Sequence, residues 1–543
     1  MSSAPTPAAP SRRLLWLLLP ALLVTGGLVY YGTRGVSAQE KKTTAGPEKQ
    51  PDDVNYPRGR KAPELLGGVG WLNTAGPVRM KDLKGKVVVL DFWTYCCINC
   101  IHTLPDLARL EKKYPNELVV VGVHSAKFDT EKGTENIRKA ILRYEISHPV
   151  VNDAEMKIWR AYGANSWPTL VLIDPEGYLV GTGSGEGLYE ALDKSIARLI
   201  KIHKERKTLN DKPLKFELAR SREKGDGPLF FPGKVLADAA GNRLFIADST
   251  HHRIVITDLT GKRIAVAGAG VAGKADGPFD KAHFNDPQGM ALKGDKLYVA
   301  DRKNHLLRAL DLKAQTVTTV AGTGQQGQDR WAGGAPLKVG LNSPWGLLRH
   351  GDTLYIAMAG HHQLWAMDLK ADRLTPFAGN GRENIRDGGL TEANFAQPSG
   401  LATDGKVLYV ADSEVSAIRA VPLDGKGEVR TIVGEGLFEF GDVDGEGDKV
   451  RLQHALGVAY HDGKLYVADT YNSKVKVIDP EKRTCRTFLG GAGQFNEPGG
   501  ISYAGGKLYL ADTNAHRIRV IDLKTKAVST LQLQGVEAPR PAS

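Results

Sequence analysis

Hydrophobic and polar positions follow two rhythms along this chain, and the change comes near residue 208. In the first half, short apolar runs alternate with stretches whose apolar residues recur every three or four positions. Val87 to Leu90 is apolar and mostly β-branched, and it predicts a buried strand. A helical stripe of Ile101, Leu104, Leu107, Ala108 and Leu110 follows, with Pro105 inside it. Further strands are predicted over 118–124 and 148–151, and further helices over 131–144, about 154–162 and about 188–204. Leu170 to Ile173, the turn Asp174-Pro175-Glu176-Gly177 and residues 178–183 read as a hairpin. Alternating strands and helices predict an α/β domain over 61–207, with helices on both faces of a central sheet.

After a linker at 208–224 the rhythm becomes a repeat. Six lines share one pattern, beginning at Leu244, Leu297, Leu354, Leu408, Leu465 and Leu508, as in Leu297-Tyr298-Val299-Ala300-Asp301. Their starts are 43 to 57 residues apart, which suits four-stranded blades. Most are preceded by Pro-x-Gly and an apolar residue, and followed by a second short strand and a glycine-rich loop. A single blade leaves its faces uncovered, so six are expected to stack around an axis as an all-β propeller over 225–535. Two positions depart from the pattern. Met358 stands where the other blades have Asp, and Ala455 where most have Pro. They are expected either to pack loosely or to be adapted. His252, His305, His362 and His516 occupy equivalent turns, with Ser416 and Ser473 in the other two. Each is expected to cap its own blade's turn. A metal-dependent propeller lyase would instead use such histidines as ligands and lose its metal on substitution of His252 and His305. The Tyr298, Tyr355, Tyr409, Tyr466 and Tyr509 stripe is assigned to the core.

The candidate chemistry lies between the first predicted strand and its helix, in Asp91-Phe92-Trp93-Thr94-Tyr95-Cys96-Cys97-Ile98-Asn99-Cys100. Free N–H groups and the dipole at a helix N-terminus favour a thiolate. Cys97 is therefore expected to be the exposed attacking sulfur, and Cys100, one turn on, the resolving thiol. A Cys-x-x-Cys is also half a zinc site, but no second Cys or His pair at ligand spacing follows, so no metal is predicted. Cys96 is read as a packed small hydrophobe, an oxidation sensor or a partner in an alternative disulfide, with Cys485 as a candidate mate.

Of 543 residues only four are cysteine, too few for a disulfide scaffold. The net charge of +11 is spread along the chain with no basic stripe, so no nucleic-acid partner is expected. Residues 1–38 read as a cleaved signal peptide or a membrane anchor. Arg12-Arg13 precede an apolar run at 14–31, and Val36-Ser37-Ala38 offers a cleavage site. Residues 39–60 read as a flexible tether. With the positive charge before the apolar run, the remainder is expected to be exported, to a periplasmic or other extracytoplasmic space.

Asp-Phe-Trp ahead of Cys-x-x-Cys, a proline inside the next helix and Trp167-Pro168-Thr169 before a strand resemble the thioredoxin superfamily, and the stretch between Val123 and Tyr162 with the Ile173-Asp174-Pro175-Glu176-Gly177 turn resembles its redoxin branch. The second half resembles NHL-repeat β-propellers. By the first resemblance Cys97 is the nucleophile, Cys100 the resolving cysteine, Asp91 the buried carboxylate and Pro168 a cis-proline. The backbone of Trp167 would then pair with an incoming peptide. Cys96 stands where the family usually has Trp, and Ile98-Asn99 where Gly-Pro is common, which leaves the direction of electron flow open. The resemblance implies an exported thiol-disulfide oxidoreductase with no cofactor beyond the Cys97–Cys100 couple. Its partners would be a protein or peptide thiol or disulfide and an unidentified electron donor or acceptor, and its propeller would bind proteins or peptides. A non-enzymatic scaffold working through the propeller is the alternative. A thiol peroxidase, prompted by Thr94 three residues before Cys97, is a lesser one.

Overall fold

The computed structural model describes residue 56 and residues 58–219, 223, 225–491 and 493–539. The expected targeting segment and nearly all of the expected tether lie outside the described residues. No helix among the described residues is long and apolar enough to cross a membrane.

The first domain is the expected α/β layer structure. Its six strands are β1 (Gly70–Leu72), β2 (Val87–Trp93), β3 (Leu118–His124), β4 (Val150–Asn152), β5 (Thr169–Ile173) and β6 (Leu179–Ser184), in the order β1-β4-β3-β2-β5-β6. β2, β3 and β4 run parallel, while β1, β5 and β6 are antiparallel to their neighbours. Every residue of β2 and β3 is buried because helices cover both faces of the sheet. α1 (Ile98–Lys113) and α4 (Tyr189–Glu205) pack Leu107, Leu110, Ile196 and Leu199 against one face. α3 (Lys157–Tyr162) lays Ile158 and Trp159 on the other.

Three features differ from the pattern. β1 is a three-residue edge strand too short to carry an alternation signal. The helix expected from 131 begins later, as α2 (Thr134–Arg143), after a 3-10 turn at Thr130–Lys132. Gly133, whose backbone is extended, separates the two. α3 is one residue short of two turns because Met156 takes the left-handed conformation just before it.

The second domain is a six-bladed propeller. Each blade is a four-stranded antiparallel sheet, from Pro232–Asp238, Arg243–Asp248, Arg253–Thr257 and Arg263–Ala267 in blade one to Pro498–Ala504, Lys507–Asp512, Arg517–Asp522 and Val528–Thr530 in blade six. Blades two, four and five carry an extra two-residue strand on their outer edge. The ring closes where Gly500 packs on Lys234 and where the C-terminal segment bonds to blade one, Arg263 N donating to Gln534 O at 3.0 Å and Gln534 N to Gly261 O at 3.0 Å.

The repeat residues have visible tasks. Asp248, Asp301, Asp412, Asp469 and Asp512 each accept a backbone N–H from the loop before their blade, at 2.6 to 2.8 Å. Met358 is adapted rather than loose: it is fully buried and its sulfur takes the equivalent N–H, that of Asn342, at 3.3 Å. Trp365 stands where blades two and four place Arg308 and Arg419 against the repeat Asp. The acid and its cation have thus been exchanged together for an apolar pair. Ala455 is fully buried. Four of the five stripe tyrosines are buried, and Tyr466 packs against the core between blades five and six.

The histidine ring serves the neighbouring blade and not its own turn, which corrects the capping expectation. His252, His305, His362 and His516 accept through Nδ1 the backbone N–H of Asp286, Ser343, Gln397 and Phe231, at 3.0 to 3.2 Å. Ser416 and Ser473 do the same for His454 and Glu497. An accepting nitrogen must be unprotonated. Burial holds His305 down to about 3, and His362 and His516 down to about 4.

Candidate active site

Cys97 is the N-cap of α1, with extended backbone, and its sulfur accepts the N–H of Cys100 at 3.4 Å. This is the arrangement expected of a dithiol at a helix start. Trp167-Pro168 is cis, and Trp167 packs against the cluster that contains Cys96, Cys97 and Cys100 while its indole donates to Ser125 O at 2.8 Å. Asp91 lies at the centre of the sheet, fully buried, with no hydrogen-bond partner for either carboxyl oxygen. Burial raises it to about 7, against an opposing pull from His148. The Cys100 thiol is pushed well up by burial, by the adjacent Cys97 and by the charge of Asp91. The structure thus gathers Cys97, Cys100 and Trp167 into one cluster, sets the Asp91 charge close enough to act on the Cys100 thiol, and makes the Trp167-Pro168 bond cis.

One expectation fails. Cys97 is not exposed: it retains 9% of its accessible surface, because the propeller docks onto this end of the first domain. Ile98 and Ile101 pack against Trp345 and Ala359, and Phe128 meets Phe440, His454 and Tyr471. The ring of residues just before each blade's inner strand makes the contact. Phe231, Asp286, Ser343, Gln397, His454 and Glu497 all sit in the left-handed region, with φ between 46 and 60°. That backbone turns the side chains of Ser343, Gln397, His454 and Glu497 toward the thioredoxin-like domain. Gln397 clamps the segment around Cys97: Oε1 accepts Ile98 N–H at 2.8 Å and Nε2 donates to Cys96 O at 2.8 Å. Glu497 accepts from Tyr95 hydroxyl at 2.8 Å. Ser343 lies 2.6 Å from His102 Nε2, whose Nδ1 is 2.6 Å from Glu186.

Cys96 faces the propeller. Its N–H donates to Glu131 at 2.8 Å and its thiol to Glu414 at 3.6 Å, and Glu414 is paired with Lys127 at 2.7 Å. Burial and the two carboxylates raise the Cys96 thiol well above its ordinary range. Cys96 and Cys485 are both free. Cys485 lies in the outermost regular strand of blade five, in a core cluster with Val450 and Leu465 that excludes Cys96. Thr94 donates to Glu131 at 2.7 Å, so its hydroxyl is already committed. Glu131, itself raised to about 7 by burial, and Gln397 are the site residues that sequence reading missed. The signal for Gln397 was present, since the residues at this position in the six blades, Phe231, Asp286, Ser343, Gln397, His454 and Glu497, all differ while the flanking pattern largely repeats.

A thioredoxin-like family model matches residues 85–179, and NHL-repeat models match 284–310 and 495–521. NHL repeat-containing protein 2 of Homo sapiens is 42% identical over 529 residues, which cover 89% of this chain and 72% of that protein. The chain belongs to the NHL repeat-containing protein 2 family. Other relatives match smaller shares. Protein SUPPRESSOR OF QUENCHING 1, chloroplastic, of Arabidopsis thaliana is 47% identical over 446 residues, 79% of this chain and 42% of that protein. Thiol-disulfide oxidoreductase ResA of Bacillus cereus is 26% identical over 187 residues, 34% of this chain and 96% of that protein. The chain thus spans less than half the length of the Arabidopsis relative.

Proposed function

We propose that this member of the family is a thiol-disulfide oxidoreductase whose Cys97–Cys100 couple works from beneath the propeller. The observation that carries the reading is Cys97 at the helix N-cap, one turn from Cys100, with the unpartnered carboxyl of Asp91 acting on the resolving thiol. The Cys97 thiolate attacks a disulfide in a protein or peptide substrate, forming a mixed disulfide and releasing one substrate sulfur. Asp91 accepts the Cys100 proton, and the Cys100 thiolate attacks the Cys97 sulfur, breaking the mixed disulfide and releasing the second substrate sulfur as a thiolate that takes up a proton. The site ends as a disulfide, the substrate is reduced by two electrons, and a dithiol donor resets the couple; the same steps in reverse oxidise a substrate. Because the propeller covers Cys97, it controls access, and a substrate reaches the sulfur when the Gln397 clamp releases. We place the protein outside the cytoplasm, with residues 1–38 as signal or membrane tether.

A second reading, a scaffold whose work lies in the propeller, draws support from the side chains the propeller commits to the interface. Thiol trapping in defined dithiol buffers separates the two. A reversible two-electron couple, lost in Cys97→Ser and in Cys100→Ser, supports the oxidoreductase. No titratable couple moves the function to the propeller.

A further inference from the structure

The propeller axis is blocked in its middle. At the face away from the thioredoxin-like domain it opens as a cavity of about 850 Å³. At the docked face lies a small chamber of about 40 Å³, which Cys96 lines from one side. Lys234 borders both spaces. It also breaks the repeat. In the other five blades the equivalent position is Gly289, Gly346, Gly400, Gly457 or Gly500, where an added Cβ would come within 2.4 to 3.2 Å of the next blade. Blade one puts a lysine in this crowded ring. Its ammonium donates to the backbone carbonyls of Leu456 and of Gly499, the latter at 2.9 Å, across the axis.

The chamber carries surplus positive charge. Lys234, Arg302 and Arg143 line it against two carboxylates, Asp286 and Glu497. Both acids are committed, Asp286 to the Arg302 guanidinium and Glu497 to the Tyr95 hydroxyl, with Arg143 3.5 Å away. Lys234 has carbonyl partners only. His454 Nδ1 lies 3.5 Å from Glu414 Oε2, with no hydrogen bond between them. The buried polar atoms of the lining residues left without a hydrogen-bond partner are three donors, Arg302 Nε, Arg143 Nε and the Trp345 indole N–H, together with Glu497 Oε2, which lies 3.5 Å from Arg143, and His454 Nδ1. Arg302, Trp345 and Lys234 are each more than nine-tenths buried, and Arg302 lies over the Trp345 ring at 4.7 Å. Leaving buried donors and a buried cation without a counter-charge is costly. A space of this size takes about three waters, or one monatomic ion and a water.

We propose that the chamber binds one small monovalent anion, held by the Lys234 ammonium, Arg302 Nε and the Trp345 indole, and entered from the open cavity past Lys234. Binding is linked to Lys234 protonation. With no anion, burial lowers this lysine to about 7, and the titratable and charged groups that line the chamber with it are Cys96, Arg143, Tyr144, Asp286, Arg302, His454, Tyr471 and Glu497. Apparent affinity therefore falls as pH rises through about 7, approaching tenfold per pH unit above it.

Bromide is the probe. Crystals of the full chain grown in sodium bromide should show an anomalous peak in the chamber in contact with Arg302 and Trp345, and Lys234→Met should abolish it. In solution, bromide at constant ionic strength, balanced with isethionate, should raise the unfolding temperature of the wild type. The midpoint of that dependence should weaken at least tenfold in Lys234→Met. Lys234→Gly, which restores the residue found in the other five blades, is the second variant should the first fail to fold. Only water in the chamber, or a bromide peak unchanged in both variants, overturns the proposal.

Discussion

The Gln397 clamp offers the sharpest test of how the dithiol is guarded. Gln397→Ala deletes both hydrogen bonds that hold the backbone on either side of Cys97, to Ile98 N–H and to Cys96 O, each 2.8 Å long and buried. Leaving a buried backbone donor or acceptor unpaired costs about 1–3 kcal/mol, and water entering the vacated space recovers part of it. The net cost to the docked state is about 2–4 kcal/mol. If the domains open and close faster than Cys97 is modified, its modification rate follows the open population. That population should rise about 30- to 900-fold at 1.36 kcal/mol per factor of ten. The assay is the rate of maleimide addition to Cys97, read by peptide mass spectrometry, with buried Cys485 as the internal control for global unfolding. A rise at Cys97 with no rise at Cys485 fits release of the interface. Equal rates in variant and wild type would refute the idea that docking gates the dithiol.

Three further outcomes follow from the same geometry. Asp91→Asn should slow the Cys100 attack on a trapped mixed disulfide about 100-fold or more, and abolish the rise in that rate as pH climbs through about 7; an unchanged profile removes Asp91 from the proton path. For His362 the folded state favours the neutral ring, so its contribution is complete above pH 6.5 and lost as pH falls toward about 4. The stability difference between wild type and His362→Ser, the residue used at 416 and 473, should therefore shrink by about 2 kcal/mol between pH 7 and 5 in urea unfolding; parallel curves would contradict the assigned hydrogen bond. Met358→Asp should destabilise by about 3–5 kcal/mol, because blade three has Trp365 where a cation would stand. The double change Met358→Asp with Trp365→Arg should recover much of that loss, and no recovery would show that the pair is not interchangeable.

Local order was legible because local rules fix it. An all-apolar β2, the amphipathic α1, the turn at Asp174 to Gly177 and the six repeated lines each satisfy burial and backbone hydrogen bonding within a few residues of sequence. Those periods were enough for both fold classes, and the strand-to-helix junction placed Cys97 and Cys100 one turn apart. The sequence alone also marked Met358 as an exception, although not its remedy. Contacts between distant segments were decided only in three dimensions. The histidines repeat in sequence, but their hydrogen bonds go to the next blade, some 34 to 38 residues on within the chain or, for His516, across the ring closure. The burial of Cys97, the Gln397 clamp and the Lys234 barrier depend on residues separated by some 220 to 300 positions. No period in a sequence encodes such pairings. They arise because the left-handed residues before six inner strands converge on one axis, and the thioredoxin-like domain buries its helix N-terminus against them.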